Sequence, residues 1–173
     1  TAVTGLMRSG AGWQARLPGG AQITADQVIL ASNVYTPAAL EPRLARATVP
    51  ANSFQVATAP LSAAQLARIL PGGEVVSETR RVGTYFRNGP QNRLMLGGRG
   101  GFADPQSADA FARIEAEIAA LFGTDLEITH RWFGRVGMTP DHRIRLCAPV
   151  PGLLAATGFN GRGVALSVSL GKA

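Results

Sequence analysis

Hydrophobic positions in this chain come in short runs, and their spacing changes from segment to segment. Over residues 1–31 the pattern predicts strands. Residues 3–7 and 13–17 flank a Gly-Ser turn, and Pro18-Gly19-Gly20 makes the next reversal, because glycine and proline supply the backbone angles of tight turns. Gln27-Val28-Ile29-Leu30-Ala31 is almost unbroken in its apolar character, which predicts a strand buried on both faces. That run ends at Ser32-Asn33. Thr36-Pro37 then offers a cap residue and an N1 proline for a short helix.

A second stretch opens at Pro50. Residues 54–59 predict a strand, and 62–70 a helix whose Ser62-x-x-Gln65 start has the form of a capping box; Pro71-Gly72-Gly73 stops it. Residues 83–87 and 93–97 read as two strands joined by Asn88-Gly89-Pro90-Gln91-Asn92, a hairpin signal. Asp104-Pro105 is expected to cap the clearest helix, in which Ala108, Phe111, Ile114, Ile118, Leu121 and Phe122 recur at helical spacing. Gly123 ends it. Residues 127–136 alternate as a long strand would. Thr139-Pro140-Asp141 reads as a turn, with Asp141 a turn-forming residue, and 153–157 as a short strand. A glycine-rich loop follows and leads into an apolar helix at 164–170. No repeat or low-complexity tract interrupts the series.

Composition narrows the class. A chain of 173 residues that is 46% hydrophobic can bury a core, 16% charged is too little for a disordered chain, and 21 Gly with 11 Pro imply many turns. No run approaches the roughly 20 apolar residues of a membrane span, and the first dozen residues lack the basic head and apolar block of a signal peptide. A start at Thr1 without Met points to a trimmed, tagged or excised chain. The single Cys147 rules out an internal disulfide framework and a cysteine zinc site, and is expected to be a packing residue; a reducing, cytoplasmic setting is consistent with it. His130 and His142 are too few and too separated for a metal site, so no metal is expected. The net charge of +6 rests on arginines scattered singly or in pairs such as Arg80-Arg81. Nucleic-acid binders concentrate such charge on one stripe, so no nucleic acid is expected, and the arginine content reflects either coding bias or a preference for anionic substrates.

The chemistry lies in Gly158-Phe159-Asn160-Gly161-Arg162-Gly163, between the strand at 153–157 and the helix at 164–170. Glycine lets a backbone approach a flat ligand and adopt positive φ. The helix N-terminus presents unpaired N–H groups and partial positive charge to an electron-rich group. The pattern G-x-x-G-x-G is not the dinucleotide G-x-G-x-x-G, and that fingerprint occurs nowhere else in the chain. As it stands, the loop suits either an anionic or carbonyl-rich ligand or a close-packed turn.

An ordered set of segments adds to this. Val28–Asn33, Tyr85-Phe86-Arg87, Arg93–Arg99, Trp132-Phe133-Gly134, Thr139-Pro140-Asp141 and Gly158–Gly163 occur in a series that resembles the glycine and D-amino-acid oxidase family, notably its γ-glutamylputrescine-oxidase-like branch. The resemblance covers nearly the whole chain. It implies an α+β fold: a substrate domain of antiparallel β-sheet with helices packed on it, plus C-terminal pieces of an FAD-binding domain. Residues 1–47 and 133–173 would belong to the flavin part, and 48–132 to the substrate part.

The same resemblance implies that FAD is the cofactor and that a small amine or amino acid is oxidised at its C–N bond, with hydride passing to flavin N5 and the imine then hydrolysed. Phe159, Asn160, Gly161, Arg162 and Gly163, following Gly158, would lie against the flavin's pyrimidine edge. Val3 would touch the adenine, with Ala31 and Ser32 near the phosphates. Tyr85 and Arg99 would face the substrate, Arg99 holding a carboxylate through its planar fork. Met95 falls where the sarcosine-oxidase branch carries a lysine linked to oxygen activation, and Gly134 where that branch has its flavin-linked cysteine, so the implied FAD is non-covalent. The family's N-terminal nucleotide-gripping motif has no match here, which implies a chain inactive by itself. Two other readings stand beside this one: a non-catalytic domain that self-associates through surface left exposed, and an arginine-rich nucleic-acid binder.

Overall fold

Antiparallel pairing predominates in the computed structural model, which describes residues 2–80, 82–123 and 126–172. Contacts divide the chain into two units, one from the start to Pro50 together with everything from Val136, the other Ala51–Arg135. The divisions thus fall three residues beyond the expected 47/48 and 132/133. Thr1, Arg81 of the Arg80-Arg81 pair, and Ala173 lie outside the described residues.

The first unit starts with a meander of β1 (Gly5–Ser9), β2 (Gly12–Arg16) and β3 (Gln22–Ala25), in which Leu6 pairs with Ala15 and Trp13 with Ala25. Its second sheet has the order β10-β11-β4, from β4 (Val28–Leu30), β10 (Arg145–Val150) and β11 (Leu153–Thr157). β11 runs parallel to β4, with Leu153 opposite Val28. Trp13, Leu30, Leu44, Leu153 and Ala155 form the core, and Cys147 packs against it as a small apolar group would.

Two expectations fail in this unit. The run at 27–31 yields only the three residues of β4, and Ile29 is 71% exposed, because the core lies against one face of the strand alone. No helix starts at Thr36. Its hydroxyl instead donates back to the Asn33 carbonyl at 2.9 Å and pairs with Ser32 Oγ at 2.7 Å, closing a single turn at Asn33–Tyr35. The helix begins later as α1 (Pro42–Ala47), where proline at the first position costs no hydrogen bond and the Glu41 carboxylate accepts from the Arg43 N–H at 3.0 Å. β3 and β10 were not anticipated: β3 is four residues, two of them polar, and β10 contains Pro149 within a register shift.

The second unit is a five-stranded sheet of order β6-β7-β8-β5-β9. Its strands are β5 (Val49–Pro60), β6 (Val75–Ser77), β7 (Thr84–Asn88), β8 (Arg93–Arg99) and β9 (Ile128–Met138). Side chains alternate across a strand, so each strand has a helix-facing and an open set. Phe54, Val56, Leu94 and Leu96 face α2 (Ala63–Arg68) and α3 (Ala112–Phe122), packing with Phe111, Ile114 and Ile118. The Phe54 and Phe111 rings stack at 4.6 Å. Ser53, Gln55, Ala57, Tyr85, Met95, Gly97 and Arg99 form the other set.

The Ser62 capping box forms as expected, each side chain bonding the other residue's N–H. Asp104 does not cap α3. A tight turn at Ala108–Phe111 intervenes, and the Asp104 carboxylate accepts from Arg135 instead, an ion pair that outweighs a distant cap. Leu121 and Ala108 also leave the expected apolar stripe for solvent, while Phe122 stays packed on the core. Among the described residues no helix is long and apolar enough to cross a membrane.

Candidate functional site

The glycine-rich loop is held from two other segments of the first unit. Beyond β11 the chain turns at Gly158, whose φ is +72°; a Cβ there would meet the Thr139 methyl at 2.4 Å, so both conformation and space require glycine. Asn33 Oδ1 accepts from the Gly158 N–H at 3.0 Å and from the Thr157 hydroxyl at 3.1 Å. Asn160 Oδ1 accepts from the Thr139 N–H at 2.7 Å, its Nδ2 donates to Thr139 Oγ1 at 3.1 Å, and its own N–H donates to the Gly137 carbonyl at 3.0 Å. The turn beneath is closed by His142 N–H donating to the Thr139 carbonyl, and Asp141 is a turn residue as expected. Hydrogen bonding from Arg145 pulls the Asp141 carboxyl down to about 2, so it stays ionised.

The loop leads into α4 (Gly163–Leu170). The N–H groups of a helix's first turn have no acceptor within the helix, and here they begin beside Gly161, where a Cβ would enter open space. Arg162 donates to the His142 carbonyl at 2.6 Å, a neutral partner that leaves its positive charge in place at that terminus. Phe159 lines an apolar hollow of ≈ 680 Å³ with Ala31, Ile29 and Leu154. Val3, Ala31 and Ser32 are brought together in a second hollow of ≈ 490 Å³. The loop offers a close backbone approach and free N–H groups to an electron-rich ligand, beside apolar hollows.

Within the second unit, Tyr85 and Arg99 lie on the open set of the sheet. Gln55 Nε2 donates to the Tyr85 hydroxyl at 2.6 Å, and Ser53 Oγ shares a hydrogen with it at 2.8 Å. Gly97 sits across the ladder from both Tyr85 and Gln55; a Cβ there would come within 2.2 Å of the Gln55 amide and 2.5 Å of the Tyr85 ring. Arg99 is exposed and directly opposite Ser53, and among the described residues nothing engages its guanidinium. Met95 lines a hollow of ≈ 330 Å³ with Ala57, His130 and Trp132. Gly134 is half-buried on β9 in this unit, whereas Gly158–Gly163 belong to the first.

Four residues of these arrangements escape the sequence reading: Asn33, Thr139 as a partner of Asn160, Ser53 and Gln55. Ser53 and Gln55 carry a faint signal, as polar positions alternating with Phe54 and Val56 in a strand. Asn33 carries none, because its partners are more than 120 positions away.

Residues 1–173 match a family model described as FAD dependent oxidoreductase (DAO). A Rhizobium meliloti protein described as "Probable oxidoreductase OrdL" is 38% identical over 152 residues, covering 87% of this chain and 35% of that protein. The Escherichia coli gamma-glutamylputrescine oxidoreductase is 26% identical over 155 residues, covering 87% of this chain and 36% of its own length. The chain thus spans about a third of the curated relatives it matches. Among solved structures, glycine oxidase from Geobacillus kaustophilus superposes with a TM-score of 0.73 at 22% identity, over 99% of this chain and 46% of that one. Glycine oxidase from Bacillus cereus gives 0.75 at 15%, over 99% and 47%. These two show the shared fold.

Proposed function

The chain belongs to the FAD-dependent oxidoreductase family, and from that premise we propose that it serves a flavoenzyme that oxidises the C–N bond of a small amine or amino acid. The open set of the second unit's sheet carries this reading: Tyr85 stands there with an unengaged Arg99, a cation whose planar fork suits a carboxylate. A flavin, when bound, supplies the two-electron acceptor for a hydride leaving the substrate carbon. Arg99 holds the carboxylate and Tyr85 walls the substrate. The amine enters uncharged, and water hydrolyses the resulting imine, so no His or paired-carboxylate machinery is needed.

In the first unit, the residues that would hold FAD are the loop and its neighbours. The free N–H groups of α4 and the Arg162 charge favour an edge that gains electron density, as the C2 carbonyl side does. Phe159, Asn160, Gly161 and Gly163 give that edge a close backbone approach. Val3, Ala31 and Ser32 would serve the adenosine and phosphate portion. Gly134 has no side chain through which a flavin could be linked, in keeping with non-covalent FAD.

The test is spectroscopic. Full-length protein is expected to be yellow, and an amine or amino acid added without oxygen should bleach it. Full-length protein that holds no flavin, or whose flavin no amine reduces, would sink the proposal. The 173-residue chain mixed with excess FAD and gel-filtered is expected to emerge colourless, since it lacks the nucleotide fingerprint; retained absorbance would show that the loop and hollows suffice.

A second reading rests on a separate observation in the first unit. Val164 is 98% exposed, Ile29 71% and Val168 64%, and Leu146 and Leu154 are about half exposed. Apolar surface of this kind favours association, so the isolated chain is proposed to pair with further copies of itself.

A further inference from the structure

Ser53, Gln55 and Tyr85 form a line of hydrogen bonds that the function above leaves without a task. Gln55 donates to the Tyr85 oxygen, and a phenol that accepts in this way has its own proton left to give. The neighbouring acceptor is Ser53 Oγ at 2.8 Å. Either oxygen of that pair can donate; with the phenol donating, Ser53 accepts and its own hydroxyl proton points elsewhere. Gly97 makes the line possible, since any side chain there would collide with both Gln55 and Tyr85. Ser53 is also directly opposite Arg99 in the β5–β8 ladder. Side chains so placed have Cβ atoms about 5 Å apart, a spacing that lets a hydroxyl and a guanidinium reach the two oxygens of one carboxylate.

We infer that Ser53 is a second substrate-carboxylate ligand beside Arg99, and that Gln55 and Tyr85 are positioning residues that keep the Ser53 proton aimed at that carboxylate. The inference rests on the reading of Arg99 as a carboxylate ligand and adds a direction to the site. Were the Gln55 amide turned to accept, Tyr85 would donate to Gln55 and Ser53 to Tyr85. The Ser53 proton would then be spent on Tyr85 and could not reach a carboxylate held by Arg99. The polarity of one amide therefore decides whether Ser53 adds to the hold of Arg99 on a carboxylate.

The experiment uses full-length, flavin-loaded enzyme, with acetate as the probe and acetamide as its neutral counterpart, both followed by the shift of the flavin's visible absorbance. Loss of a charge-assisted hydrogen bond predicts that Ser53→Ala weakens acetate about tenfold and leaves acetamide nearly unchanged. Ser53→Thr, which keeps the hydroxyl, should restore binding to within about threefold. Gln55→Glu, nearly isosteric but able only to accept when ionised, should weaken acetate at least as much as Ser53→Ala. Flavin content of each variant reports whether it has folded. If Arg99→Met abolishes acetate binding while Ser53→Ala and Gln55→Glu bind normally, the Ser53 role is overturned and the Arg99 reading stands. If Ser53→Ala weakens acetate and acetamide equally, its role is structural and the inference fails. If Arg99→Met also binds acetate normally, or the unaltered enzyme ignores acetate, the carboxylate reading falls and takes this inference with it.

Discussion

Glu78, just after β6, accepts from the Thr84 N–H at 2.8 Å, from the Thr84 hydroxyl at 2.9 Å, and from Arg80. The Thr84 backbone bond, then Arg80, hold its carboxyl at about 2, below the ordinary 4.5. A carboxyl depressed in the folded state stabilises it fully above its unfolded pKa, and that contribution is lost as pH falls through the folded one. Glu78→Gln is therefore expected to lower the melting temperature at pH 7, with the gap from the unaltered protein shrinking from about pH 4.5 down to about 2. Melting curves of both proteins across that range check it, and a gap that stays constant with pH would contradict it. Comparing the pair cancels Asp141, whose carboxyl titrates in the same low range. None of this was legible beforehand. Glu78 and Thr84 lie six positions apart on either side of a turn, and the ion pair from Arg80 to Glu117 joins residues 37 positions apart.

At the scale of elements, legibility followed the range of the interaction. The α2 start was readable because a capping box is local, its two bonds closing within four residues. The Asp104 cap was misread because a carboxylate is drawn to a cation, and Arg135 is 31 residues away. The glycine loop was readable as a strand–turn–helix, while what fixes it was not. Substitutions separate the two contributions. Gly161 and Gly158 both have positive φ, at +83° and +72°, but only Gly158 faces a neighbour. Gly161→Ala is expected to cost about 1–2 kcal/mol, the strain of a left-handed residue. Gly158→Ala carries that strain plus a collision with Thr139, for roughly 2–5 kcal/mol together. Urea unfolding of both variants tests the order, and equal losses would mean that the Thr139 contact yields freely.

For the molecule as a whole, charge and apolar surface are distributed differently. Arg43, Arg80, Arg131, Arg135 and Arg145 each meet a carboxylate, so part of the basic charge is paired over the surface. Apolar side chains instead accumulate on α4 and the β10-β11-β4 sheet of the first unit. A helix apolar on every side is ordinarily a buried one, and α4 has no buried residue. The isolated 18.0 kDa chain is therefore expected to sediment as a dimer or larger species, and replacing Val164 and Ile29 by serine should shift it toward monomer. A tight monomer before any replacement would count against the association.

The sequence by itself determined most of the strands, though not β3, β6 or β10, together with the helices at 62–70 and 164–170, the loop at Gly158–Gly163 and the family resemblance. These rest on hydrophobic period, turn chemistry and capping, all of which act within a few residues. Only the tertiary structure decided that Asn33 holds Gly158, that Gly97 makes room for Tyr85 and Gln55, and that Ser53 faces Arg99. These pairings depend on strand register and on side chains meeting across 12 to more than 120 positions of chain, and local pattern contains no information about which distant residue arrives opposite.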